Sequence, residues 1–200
     1  MKRNTQKTGR GEMNMCQKIK EINALTSDQI LEKRKTRTIP INMKEILRDI
    51  GIVFQMVDFS DLQKKLKINK DDAILGMAFS NGDELGILYS NKIAGDAKNY
   101  VLAHELAHCC LHLHPSETFH VELKFSRDMY SEQKRRSFLS LFADSVKEIQ
   151  ADKFAAEILI PTDDINQYIC KNQNATTEEI AKYFHVPEEI VRLKLSSLRR

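Results

Sequence analysis

His104-Glu105-Leu106-Ala107-His108 sits inside a stretch, Val101 to Leu111, that is apolar on nearly every side of a helix. A helix apolar all round belongs in an interior, so this one takes two imidazoles and a carboxylate inside with it. Buried charge is expensive unless something compensates it, and a divalent cation does so. Helical positions i and i+4 differ by about 40° in azimuth and about 6 Å in rise, so His104 and His108 can reach one cation. Glu105 lies to the side of that pair, placed to hold a water on the same cation. The competing reading is a helix with two core histidines, and it leaves the buried carboxylate uncompensated.

A catalytic metal site needs a third protein ligand and an open position. His112 is about 12 Å along the helix from His104, too far for both to bind one ion through bonds near 2 Å. His114 points away from the pair, and Cys109 and Cys110 read as small core residues. The best candidate lies downstream, in Glu148-Ile149-Gln150-Ala151-Asp152-Lys153-Phe154-Ala155-Ala156. Glu148, Ala151, Asp152, Ala155 and Leu159 share one helical stripe, where small alanines let another helix approach closely. Glu148 is then the third ligand, and Asp152, one turn on, accepts the free N–H of a ligating histidine. Two histidines and a carboxylate accept zinc, and manganese as well.

Around this constellation the chain reads as α+β. Asn42–Ile50 has helical spacing ended by Gly51, and residues 52–57, 74–79 and 85–89 read as strands of a small, largely antiparallel sheet. Asn81-Gly82 is a hairpin signal between the last two. A helix follows from about Ala97 to His114, stopped by Pro115. A short strand at His120–Phe125 and a long helical stretch ending at Ile160-Pro161 come next, and residues 162–200 read as three short helices.

With 42% hydrophobic residues, 200 residues suffice for one core, and no run of eighteen apolar residues predicts a membrane span. The N-terminus leads into no apolar stretch of the kind a signal peptide needs. Cys16, Cys109, Cys110 and Cys170 show neither a CxxC spacing nor a disulfide framework, so a reducing cytoplasm is expected. The net charge of +3 divides unevenly: residues 1–40 hold ten Lys and Arg against four Asp and Glu, and the rest of the chain is net −3. Residues 1–38 therefore read as a basic, polar extension, and a solvated tail accounts for it better than a nucleic-acid arm. The expected divisions are 1–38, a core at 39–161, and a helical tail at 162–200.

The run from Leu85-Gly86-Ile87-Leu88-Tyr89-Ser90-Asn91 through the HExxH segment to Leu111-His112, then Glu148-x-x-Ala151-Asp152-x-Phe154-Ala155-Ala156 and Pro161, resembles the ImmA/IrrE family of zinc metallopeptidases. The resemblance covers roughly residues 40–161 and weakens into the tail. It implies a zincin-like fold, His104, His108 and Glu148 as zinc ligands, and Glu105 as catalytic base. It also implies a substrate: a repressor with a helix-turn-helix domain, on a mobile element or stress operon. This chain departs from the family in having Ala107 where glycine is common and Gln150 where an acidic residue is frequent. The stretch from Pro115 to Val146 is also longer than usual. A substrate segment is expected to add as a strand along an edge formed by Leu85, Gly86, Ile87, Leu88 and Tyr89. Tyr89, Tyr100, His120 and Tyr130 all stand as candidates to stabilise the oxyanion.

In the tail, Thr177 to Leu195 reads as helix, tight turn, helix, with Thr176 or Thr177 as N-cap and Pro187 in the opening turn of the second helix. Glu188 and Glu189 occupy the turn where a DNA-reading helix would meet bases and phosphates. Basic residues come only later, at Arg192, Lys194, Arg199 and Arg200. That pattern favours packing or partner docking over direct nucleic-acid binding. Two functions of different class follow: a zinc-dependent, site-specific protease acting on a regulatory protein, or a non-proteolytic binding module that keeps the metal-site fold.

Overall fold

Among the described residues of the computed structural model (15–34, 38–68, 73–80, 84–113, 120–125 and 142–198), nine helices and four strands form a mixed α+β structure. In chain order they are α1 (Met15–Asn23), α2 (Ser27–Lys33), α3 (Met43–Ile50), β1 (Val53–Val57), α4 (Ser60–Lys65), β2 (Ile74–Ser80), β3 (Leu85–Ser90) and α5 (Asp96–Leu111). Then follow β4 (His120–Phe125), α6 (Phe142–Leu159), α7 (Thr162–Lys171), α8 (Thr177–Phe184) and α9 (Glu188–Leu198).

Local signals explain most boundaries. The Asn42 side chain accepts from the Lys44 N–H to cap α3, and Gly51, at φ 79°, ends it in the left-handed conformation that glycine adopts without a steric penalty. Thr26 and Thr176 each head a reciprocal capping box, with Gln29 and Glu179 as the third residue. The Asn81-Gly82 turn lies outside the described residues.

The sheet runs in the order β1-β3-β2-β4. β2 pairs antiparallel with both β3 and β4, whereas β1 pairs parallel with β3, Val53 opposite Gly86 and Val57 opposite Ser90. This corrects the expectation that Leu85, Gly86, Ile87, Leu88 and Tyr89 form a free edge. β3 is an interior strand with backbone partners on both sides, so it has no unpaired N–H and C=O row to offer a substrate. The described edges are β1 and β4. Gly86 serves the pairing in another way: the Phe79 ring lies across it from the opposite strand, where a Cβ would meet ring atoms at 2.2 Å.

α5 lies between the sheet and α6, touching β2 and β3 on one side and α6 on the other, with α1 and α3 also against it. Tyr100 through Cys110 are buried without exception, which is why its sequence is apolar all round. α6 turns Ala151 and Ala155, both fully buried, toward the interior, as the small-residue stripe predicts. Ile149, on the same helix, is exposed.

The reading of residues 1–38 as a solvated extension fails for residues 15–33. Ile19, Ile22, Leu25 and Ile30, on α1 and after it, join the same core as α5, and Asn23 donates a hydrogen bond to the Leu113 carbonyl. The tail shares that core too, through Ile165, Ile180, Phe184, Val186, Ile190 and Val191. Lys194, grouped above with the basic residues late in the second tail helix, is buried: its ammonium donates to Glu157 of α6 and, at 2.8 Å, to the Thr162 hydroxyl. Arg192 pairs with Glu188 at 2.8 Å on the surface of α9. The described part of α9 therefore turns its middle lysine inward. No helix of the described residues is long and apolar enough to cross a membrane.

Candidate metal centre

α5 and α6 bring three donors to one point. His104 Nε2 and His108 Nε2 are 3.1 Å apart, as two residues one helical turn apart on a packed face should be. Glu148, from α6, bridges them, its Oε2 3.1 Å from His104 Nε2 and its Oε1 3.2 Å from His108 Nε2. Tetrahedral bonds of about 2.0–2.1 Å hold donors about 3.3 Å apart, so the spacing suits one small divalent ion. Among the described residues this is the one cluster of three His, Cys, Asp or Glu side chains with ligand geometry.

The donor chemistry points the same way. His104 is fully buried and turns its Nδ1 to Asp152 Oδ1 at 2.8 Å. His108 is also buried and turns its Nδ1 to His112 Nδ1 at 2.9 Å. With each Nδ1 engaged behind, both Nε2 atoms and a carboxylate converge in front. Lone pairs that converge at this distance repel unless a cation or proton stands among them. Burial lowers the pKa of His108, with the Glu148 hydrogen bond acting against that and the neighbouring His104 and His112 acting with it. The neutral imidazole, the form a metal binds, is thereby favoured near neutral pH.

The expected site residues fall out as follows. His104, His108 and Glu148 converge. Asp152 stands behind His104, one turn beyond Glu148 on α6. Tyr100, offered as an oxyanion candidate, donates its hydroxyl to the same Asp152 oxygen; it lies behind the histidine and holds its partner in place. Tyr89 is buried in the sheet under the Lys44 ammonium, 5.6 Å from the ring centre. His114, Tyr130 and the His120 side chain lie outside what is described.

Glu105 is fully buried and faces the sheet, with its side chain laid over β2 at Gly76. A Cβ at residue 76 would stand 2.4 Å from Glu105 Oε1 and 2.8 Å from both Glu105 Cγ and Val101 Cγ1. The absent side chain of Gly76 is the space that Glu105 fills. Sequence reasoning missed this glycine, which carries no motif, and it missed His112, ruled out as a ligand and then left without a role. His112 Nε2 meets Gln150 Oε1 at 3.0 Å. The i, i+4 spacing from His108 was the available signal. Cys109 and Cys110 are core residues as read; burial pushes the Cys110 thiol up to about 12 and raises Cys109 well above its usual value.

Compared with known proteins, residues 71–196 match the family model Peptidase_M78, the IrrE N-terminal-like domain. The match runs through both the HExxH core and the helical tail. The chain is also 31% identical over 114 residues to "Uncharacterized immunity region protein 2" of Bacillus phage phi105, an alignment spanning 56% of this chain and 61% of that protein. No solved structure matches.

Proposed function

From a chain that belongs to the Peptidase_M78 family, we propose a zinc-dependent endopeptidase that cleaves a regulatory protein, a helix-turn-helix repressor of a mobile element, in the cytoplasm. The observation that carries the reading is the convergence of His104 and His108 of the buried helix α5 with Glu148 of the adjacent α6, with Glu105 on the same turn as His104. In this reading the fold is zincin-like. Similarity to a phage immunity-region protein supports a substrate among the regulators of such an element.

His104, His108 and Glu148 would hold the zinc, and Asp152 keeps His104 oriented through its Nδ1. When bound there, the ion supplies a Lewis acid for the scissile carbonyl and lowers the pKa of water. Glu105 takes the proton from the attacking water and hands it to the departing amine, the two halves of general acid–base catalysis by one carboxylate. Its packing against Gly76 limits the positions that carboxylate can adopt. The tail, sharing the core with α6, acts as a docking or packing unit.

The test has two arms. Protein purified without chelator should carry about one zinc per chain by elemental analysis, and Glu148→Ala should lose it. Incubated with a helix-turn-helix repressor encoded beside it, the wild type should cut that repressor at one site, and Glu105→Gln, which keeps all three ligands, should not. Absence of bound metal in the wild type even after zinc is offered overturns the protease reading. A biological effect that survives Glu105→Gln points instead to a binding module that retains the fold.

A further inference from the structure

We propose that His112 and Gln150 are positioning residues that form a directional hydrogen-bond relay, fixing His108 in the tautomer a metal ligand requires. The inference rests on the metal-site reading above and adds a function for two residues outside the ligand set.

The geometry is a chain of three groups. His108 Nδ1 lies 2.9 Å from His112 Nδ1, and His112 Nε2 lies 3.0 Å from Gln150 Oε1. His108 and His112 are one turn apart on α5 and at its end, with ring centres 4.9 Å apart, while Gln150 is on α6, so the relay also spans the two helices that carry the ligands. Each link holds one proton, and a neutral imidazole carries its proton on one nitrogen only. The direction of the last link therefore sets the direction of the others.

With Gln150 presenting its carbonyl oxygen, His112 donates from Nε2, and its Nδ1 is left as an acceptor. His108 then donates from Nδ1, and its Nε2 keeps a free lone pair aimed at Glu148 and His104 Nε2. Were the amide reversed, its N–H would donate to His112 Nε2. His112 would then donate from Nδ1, and the His108 proton would move to Nε2, where it blocks coordination. The two ligating histidines are thus oriented by different chemistry. His104 has a carboxylate, Asp152, and His108 has an imidazole, His112, ending in an amide. Gln150 ends the chain as an acceptor through Oε1, the same sense that a carboxylate at this place would give.

The experiment reads the tautomer of His108 in metal-free protein by long-range 15N–1H correlation, and separately the zinc dissociation constant by competition with a chromophoric chelator. In the wild type the His108 proton should reside on Nδ1. Gln150→Met, at an exposed position, removes the terminal acceptor without adding charge. The second tautomer of His108 should then become visible and zinc binding should weaken by about 10-fold, the lower end of what outer-shell changes produce. Gln150→Glu should restore the single Nδ1–H tautomer and near wild-type zinc binding. A wild type with its proton on Nε2, or a Gln150→Met protein with unchanged tautomer and unchanged affinity, overturns the relay. Because the tautomer is read without metal, failure of the wild type to bind zinc at all is a distinct result that overturns the metal-site reading instead.

Discussion

Lys194 allows a sharp test of what fastens the C-terminal helices to the rest of the protein. Its side chain is 0% exposed, while the Glu157 carboxylate that it meets is 37% exposed. The two ends of this ion pair are therefore not equivalent. Replacing Glu157 by alanine strands a buried ammonium with the Thr162 hydroxyl as its remaining hydrogen-bond partner among those described above, and removing one partner of a buried pair costs about 3–5 kcal/mol. Replacing Lys194 by methionine keeps a similar volume in the core and leaves behind a carboxylate that water can reach. Substitutions of that kind are often close to neutral, and about 0–1 kcal/mol is expected. Urea denaturation followed by circular dichroism should give midpoints in the order wild type, close to Lys194→Met, far above Glu157→Ala. For a chain of this length the last should melt roughly 6–20 °C lower. The double variant Glu157→Ala/Lys194→Met should recover most of the loss, since no charge is then buried. If Lys194→Met proves as damaging as Glu157→Ala, or the double variant is no better than Glu157→Ala alone, the asymmetry argument is wrong.

Gly76→Ala should destabilise by about 1–3 kcal/mol, the usual cost of overpacking, and should displace the Glu105 carboxylate by about 1 Å. A displacement of that size costs on the order of 100-fold in rate, so a cleavage assay should show that loss while zinc content stays at the wild-type level. Adding excess chelator should lower the melting temperature of the wild type and leave Glu148→Ala unmoved. At free zinc 100 times its dissociation constant, the contribution removed is about 2.7 kcal/mol. Iodoacetamide at pH 8, followed by peptide mass mapping, should label exposed Cys170 rapidly and leave Cys109 and Cys110 untouched until urea unfolds the chain, because burial holds their thiols protonated. Labelling of Cys110 at the rate of Cys170 in the native protein would contradict the burial of α5.

The site was legible where chemistry and helical period coincide. His104 and His108 are fixed by i, i+4 spacing, and the stripe Glu148, Ala151, Asp152, Ala155 announces both the donors and the close approach that delivers them. Strand partners were less legible. The alternation and turn residues that pair β2 with β3 are local, whereas β1 reaches β3 by a parallel pairing across more than thirty residues, which no turn signal encodes. That is why a strand with an obvious hairpin partner was mistaken for an edge. The N-terminal helices were hidden by arithmetic: four buried apolar residues, Ile19, Ile22, Leu25 and Ile30, are few beside the charges that dominate residues 1–40. Lys194 misled for a related reason. A lysine in the middle of a charged helix reads as surface charge, and its inward turn depends on Glu157 and Thr162, whose proximity is a tertiary fact.

The contact between Gly76 and Glu105 joins the two positions in space and is expected to couple their substitution. Under the role proposed for Glu105, a carbon atom added at residue 76 displaces the carboxylate, so substitution there is expected to be disfavoured. In a lineage that abandons peptide cleavage and replaces Glu105 with a smaller residue, that constraint lapses and the vacated slot favours a side chain at position 76. Relatives with a filled position 76 are therefore expected to be those without the acid. A reader holding only a sequence would then have a second mark, outside the motif itself, by which to separate working members from silenced ones.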